Sequence, residues 1–303
     1  MRHPVLAAAL CAATLSSAAF AADIEFHKTL TVTGPATLTL CDNAGVVEIT
    51  GIDGNQVTIA AKVHKSNWHA FGNADEMKRV ADHPPIKQNG ATITVGDSTT
   101  CGGTTLDNIA IDYQISLPRK SKIQARLTNG TLHVTSMGDS VQATVVNGDI
   151  AASGIGPDSR LGTNNGTVDV HGASGPVLAE SGNGNVSLSD SNGANARLGT
   201  NHGTITVTHL VGSLEASTMN GDLFLGGTPT GEWKARTNNG AVHFDSAPGT
   251  KFDIDAETGN GSIDSSLPGG LGGHVTSGSL RGPVNGGGAE VKLYTGNGSI
   301  TLK

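Results

Sequence analysis

An Asn-Gly pair recurs through the second half of this chain at nearly constant spacing. It stands at Asn129-Gly130, Asn147-Gly148, Asn165-Gly166, Asn183-Gly184, Asn220-Gly221, Asn239-Gly240, Asn260-Gly261 and Asn297-Gly298, with His202-Gly203 filling one gap. The glycines are 18, 18, 18, 19, 18, 19, 21 and 37 residues apart, and Gly278 lies near the middle of the last, doubled interval as a degenerate copy. Self-similarity at a fixed short period is the mark of a stacked repeat, because one such unit cannot bury its own apolar face.

Alignment on the glycine shows what each unit contributes. Two residues after it stand Leu132, Ile150, Val168, Val186, Ile205, Leu223, Val242, Ile263 and Ile300. Four after it the column is again mainly apolar, from Val134 to Leu302, so both positions point inward with the period of a strand. Five before it come Ala125, Ala143, Leu161, Ala179, Leu198, Ala216, Ala235, Ala256 and Leu293, inward as well. The column three before it is mainly threonine, which suits a tightly spaced strand face where hydroxyls bond to neighbours.

The column six before the glycine reads Gln124, Gln142, Arg160, Leu178, Arg197, Glu215, Lys234, Asp255 and Lys292. From Arg197 to Asp255 its charge alternates, as parallel units stacked about 4.8 Å apart would favour. Arg236 and Glu257 form a similar pair in the column four before the glycine. Asn-Gly between alternating strands is also the sequence of a type I′ hairpin. The uniformity of each column and the small interior side chains, Ala and Thr, favour coils. The fold expected is all-β: a β-solenoid of about ten coils, about 18 residues each, with a short helix in its N-terminal cap.

The chain divides into three expected parts. Residues 1–21 read as a secretory signal peptide, from a basic start at Arg2 through the apolar stretch Val5 to Ala13 to a small-x-small cleavage site ending at Ala21. Residues 22–120 form a β-rich capping region, and 121–303 the repeat, continuous with the cap as one domain. In the cap, Asn43-Ala44-Gly45 looks like an early turn of the same kind. Asn73 is placed to cap a helix from Asp75 to Val80, stopped by Pro84-Pro85. Ile109, Ile111, Tyr113, Ile115 and Leu117 alternate as a strand ended by Pro118. The last coil, Gly298 to Lys303, has no cap following it in the sequence.

Export sets the redox context. Cys11 lies inside the signal, and Leu10 before it argues against lipid attachment. Cys41 and Cys101 remain in the mature chain, and a disulfide between them is the expectation in an oxidising compartment, worth about 4 kcal/mol by chain entropy. No segment after the signal approaches the roughly 20 apolar residues of a membrane helix. The net charge of −7 is spread along the chain rather than gathered in a basic stripe, which argues against a nucleic-acid partner. Periplasmic or secreted localisation follows.

The stretch from Ile109 through Pro118 into Ala125-Arg126-Leu127-Thr128-Asn129-Gly130-Thr131-Leu132, followed by recurring Asn-Gly-x-apolar-x-apolar units, resembles the bacterial β-strand-repeat domains of unknown function known as putative adhesins. The resemblance runs through the whole mature chain. It implies a single-stranded, right-handed β-helix in an exported protein. The Cys41 and Cys101 pair and the lack of a recognisable surface anchor depart from it.

β-Helices also carry polysaccharide lyases and hydrolases, whose chemistry would need an acid-base pair on an outward column. Asp149 and Asp222, one after the glycine, are four coils apart, or about 19 Å, beyond the roughly 10 Å within which paired carboxylates work. His243 and Asp264, three after the glycine, would be stacking neighbours, most simply as a cross-strand pair. His64, His69 and His83 bracket the helix without metal-ligand spacing. No nucleophile elbow or P-loop is present, and no catalytic, metal or cofactor residue is assigned. The expectation is a non-catalytic β-solenoid presenting a Thr/Ser/Asn-rich face to a glycan or an envelope protein, with a carbohydrate-active enzyme or a scaffold without small ligand as the alternatives.

Overall fold

The structure, a computed structural model, describes residues 23–66, 74–96, 109–267, 274–275 and 277–303. Apart from one short helix, Ala74–Asp82, its regular elements are strands joined in a single sheet system. The helix forms where expected. It carries Asp75 and Glu76 in its first turn, buries Met77 and Val80, and has Lys78 paired with Asp82 at 2.7 Å. Asn73, expected to cap it, lies outside the described residues.

Repeat units pair in parallel, in the register that the glycine alignment predicts. Leu161 lies between Ala143 and Ala179, and Leu198 between Ala179 and Ala216. Beyond the corner, Val168 lies between Ile150 and Val186, and Ile205 between Val186 and Leu223. The hairpin alternative is thereby excluded for the repeat, and the chain is a β-solenoid. The early turn belongs to the same stack: Thr37–Ile52 runs parallel to Lys122–Thr135 with Gly45 on Gly130.

Each corner is built by three residue types with separate tasks. Every repeat glycine sits against the carbonyl of the glycine one coil below; at Gly148, with φ +141°, an added Cβ would fall 1.8 Å from the Gly130 oxygen. Only glycine fits there. The threonine column supplies the hydroxyls that satisfy those carbonyls: Thr163 donates to Gly148 at 2.8 Å, Thr200 to Gly184 at 2.8 Å and Thr237 to Gly221 at 2.9 Å. These threonines are buried, and the bond offsets the cost of enclosing a polar group.

The asparagines form a side-chain ladder along the corner. Asn147 donates to Asn129 at 3.1 Å, Asn165 to Asn147 at 2.9 Å, and Asn183 to Asn165 at 3.0 Å. His202 interrupts the row, which resumes from Asn239 to Asn220 at 2.9 Å. In this corner positive φ falls on glycine and on none of the asparagines. A second corner, six residues after the glycine, does carry left-handed backbone, at Ser136, Gly154, Gly172, Asp190 and His209, with φ between 51° and 70°.

The stacking order departs from the sequence order at the C-terminal end. Trp233 and Ala235 pair with Val291 and Leu293, not with the next unit in sequence, and Val242 pairs with Ile300. Ala256 then packs on the far side of Leu293, and Ile263 on the far side of Ile300. The last coil of the sequence is therefore the penultimate coil of the stack, enclosed on both faces. The segment around Gly278 is not a degenerate coil; Ser279–Val284 runs antiparallel to Phe252–Asn260 and covers it.

This order displaces the charge neighbours expected from the sequence. Lys292 lies between Lys234 and Asp255, and Tyr294 between Arg236 and Glu257. The aromatic residues concentrate the interior of this end: the rings of Trp233 and Phe244, and of Phe244 and Phe252, meet edge to face at 5.8 and 5.4 Å, and the Trp233 indole N–H donates to the Gly212 carbonyl at 2.9 Å.

At the N-terminal end, Ile109–Pro118 runs parallel to the second half of Thr37–Ile52, and Gln56–Lys65 and Ile24–Thr31 extend it antiparallel. Asp42 occupies the threonine column of this first coil, points inward, and is only 3% exposed. Its neighbour Cys41 is disulfide-bonded; Cys101, the expected partner, lies outside the described residues.

Candidate binding face

The outward column six before the glycine, flanked by the loops that enter each coil, lines an open groove of about 670 Å³. It crosses five successive coils, through Arg160, Leu178, Arg197, Glu215 and Lys234, with Asp158, Pro176, Asn195, Ser213 and Glu232 along its side. A second hollow of about 350 Å³ shares Glu215 and Lys234 and continues over Arg236, Lys292, Tyr294, Asp255 and Glu257. The groove runs along the stack because each coil contributes the same position of its strand.

Its charges are largely paired. Arg197 contacts Glu215 at 2.7 Å, as the alternating column predicts. Glu232, absent from that column, bridges Lys234 at 3.0 Å and Lys292 at 3.2 Å, relieving the repulsion of the two stacked lysines. Hydrogen bonds from those lysines hold the Glu232 carboxyl below its ordinary value. Such a group stays ionised and makes a poor general acid. Arg281 pairs with Asp255 at 2.7 Å. The Arg236 guanidinium lies 4.9 Å from the centre of the Tyr294 ring. Among the described residues Arg160 has no ion-pair partner, and its coil neighbours are Gln142 and Leu178.

The sequence-derived pairs lie outside the groove lining. His243 and Asp264 are separated by Thr301, so they are not stacking neighbours. His243 instead lies flat on the exposed ring of Phe224, with centres 4.7 Å apart and planes 6° apart. Asp149 and Asp222 have structural work: their carboxylates accept the backbone N–H of Thr167 and Ala241 in the next coil, each at 2.7 Å. His64 Nε2 is 3.1 Å from Asp112, and His69 lies outside the described residues. Among the described residues no group of three His, Cys, Asp or Glu is placed to hold a metal.

Sequence reading missed the contacts of Asp190 with His171 at 3.2 Å and His209 at 2.9 Å. Asp190 and His209 belong to the second corner, whose column was visible six residues after each glycine but is too varied to draw attention.

The sequence profile of Toastrack DUF4097 matches residues 43–303. The chain belongs to the Toastrack family. No curated protein matches it. Solved structures similar to this Toastrack chain include a putative cell adhesion protein from Clostridium sporogenes, 14% identical over 93% of this chain and 99% of that one, with a TM-score of 0.29. A putative adhesin from Bacteroides fragilis is 13% identical over 92% and 97%, with a TM-score of 0.42. One from Parabacteroides distasonis is 11% identical over 92% and 97%, with a TM-score of 0.30. No helix among the described residues of the Toastrack chain is long and apolar enough to cross a membrane.

Proposed function

We infer that this is an exported, non-catalytic, adhesin-like binding protein, which holds an extended glycan or a segment of an envelope protein along the groove. The signal at 1–21 directs it to the periplasm or beyond, a bridge from Cys41 to Cys101 fixes the first coil to the cap, and the windings are right-handed, of about 18 residues each. One observation supports the binding role above the rest. The groove follows the stack axis over five coils, about 19 Å at the strand spacing, so it suits a linear ligand better than a compact one.

Within it, unpaired Arg160 beside Leu178 and Pro176 offers a cation next to apolar surface. The test is binding of the mature chain to a glycan array and to solubilised envelope proteins, for the natural sequence and for Arg160→Glu with Leu178→Asp. The reading expects one binder whose affinity falls about tenfold or more in the variant, equivalent to about 1.4 kcal/mol. Equal binding by both chains would remove the groove from the function. Release of reducing ends or unsaturated products from a bound polysaccharide would replace the reading with an enzymatic one. Non-reducing mass spectrometry settles the disulfide, since two free thiols would refute it.

A further inference from the structure

The Asn-Gly peptides that build the corner are chemically vulnerable. A backbone nitrogen following asparagine can attack the side-chain carbonyl carbon, and glycine hinders this least. In that step the Gly nitrogen bonds to the Asn Cγ, the Cγ–NH2 bond breaks, and ammonia leaves with the proton given up by the peptide N–H. Water then opens the cyclic imide at either carbonyl, leaving aspartate or isoaspartate. No oxidant or other co-reactant is required.

The stack blocks the first step by occupying the attacking N–H. Gly148 donates to the Asn165 carbonyl at 2.8 Å, Gly166 to Asn183 at 3.0 Å, Gly221 to Asn239 at 2.9 Å, Gly240 to Asn297 at 3.0 Å and Gly298 to Asn260 at 2.9 Å. Each bond runs to the coil above. The coil ending at Asn260 is the last of the stack, and the covering strand Ser279–Val284 pairs with it only as far as Glu257, beyond which Gly278 accepts from the Thr258 N–H. Among the described residues nothing accepts from the Gly261 N–H, and Asn260 and Gly261 are both exposed.

We propose that Asn260-Gly261, at the end of the stack, is a self-modification site, where the folded protein converts asparagine to aspartate and isoaspartate. Isoaspartate routes the main chain through the former side chain and lengthens it by a methylene. Ile263–Ser265, paired with Ile300–Leu302 immediately downstream, then loses its register. Among the corner asparagines whose following glycine N–H is held by the coil above, the same reaction must await opening of the stack.

The His202 interruption separates this explanation from its nearest rival. If a donated side-chain amide bond were the protection, Asn260, whose amide donates to Asn297, would be stable, and Asn220, whose amide faces His202, would react. If the bound glycine N–H is the protection, Asn220 is stable, since the Gly221 N–H is held by Asn239.

The experiment is incubation of the full exported chain, folded and in concentrated urea, at mildly alkaline pH, followed by peptide mapping with an isoaspartate-specific methyltransferase. In the folded protein position 260 is expected to convert roughly tenfold or more faster than Asn165, Asn183, Asn220 and Asn239, whose reaction must await opening of the stack. In urea the rates should converge. Conversion of Asn220 or Asn239 as fast as Asn260 in the folded chain would overturn the proposal. So would an Asn260 that stays intact when folded while converting in urea.

Discussion

The side-chain amide of Asn297 donates to Oδ1 of Asn239 at 2.9 Å, across 58 residues of sequence. Asn260, nearer in sequence to Asn239, bonds instead to the far side of Asn297 at 2.9 Å. The C-terminal coil is therefore inserted between two units made before it. The coil of Phe252–Asn260 cannot dock in its final place until residues 289–302 have been laid down. Residues 289–302 thus lie in the interior of the stack rather than at an open edge, a position that pairs their backbone groups on both sides.

Paired substitutions report this order directly. Ile300 is fully buried between Val242 and Ile263, whereas Ile263, in the final coil, is only partly buried. Ile300→Asp places a carboxylate in a dry interior and should cost about 4 kcal/mol or more, as Ile150→Asp and Ile205→Asp should. Ile263→Asp should cost markedly less. Thermal denaturation ranks them, and a stack in sequence order would reverse the ranking of Ile300 and Ile263.

The threonine column makes a second prediction. Thr237 is fully buried with its hydroxyl on the Gly221 carbonyl, so Thr237→Val should cost about 1–3 kcal/mol by leaving that carbonyl unsatisfied. Val145 occupies the same column one coil before Thr163, and as a valine it offers the Gly130 carbonyl no hydroxyl. Val145→Thr should therefore be neutral or stabilising. Equal losses in urea unfolding for both would show that the column acts through shape alone.

Much of this was legible in the sequence because a solenoid repeats its instructions. The apolar columns from Leu132 to Ile300 gave register, and the Arg197–Glu215 pair followed from adjacency in one column. Stack order was not legible, since Lys292, Tyr294 and Asn297 satisfy the same columns wherever their coil is placed. The distinction rests on Trp233, Phe244 and Phe252, whose large rings fill the interior at one end, and on the antiparallel strand Ser279–Val284. Neither ring size nor strand direction is part of the repeat pattern. The groove was half visible: its outward column was read, but Glu232, outside that column, supplies the bridge between the stacked lysines.

The second corner tests backbone strain. Ser136 has φ 59° and Gly154, stacked on it, φ 62°. Left-handed backbone costs a non-glycine residue about 1 kcal/mol, so Ser136→Gly should stabilise by a little less than that, given the added freedom of the unfolded glycine. Gly154→Ala should destabilise by about 1 kcal/mol, even though the nearest atom to the new Cβ is 3.7 Å away. Opposite shifts in midpoint are expected, and like signs would mean that local packing, not φ, decides the site.

The buried Asp42 gives stability a pH dependence. Burial is the largest influence on its carboxyl and raises it well above the ordinary value; the Asn43 N–H opposes this, and nearby Asp112 adds to it. Among the described residues its Oδ2 has no hydrogen-bond partner. The folded chain therefore holds this proton more tightly than the unfolded chain, whose carboxyl titrates near pH 4. Stability from Asp42 is complete below about pH 4 and is lost as pH rises from there through the folded value. Asp42→Asn cannot ionise, so it should remove that decline and stabilise the protein at neutral pH. Thermal midpoints measured from acid to neutral pH should fall more steeply for the natural chain than for the variant. Parallel curves would show that the carboxylate is hydrated in solution and that the first coil is less tightly closed than its geometry indicates.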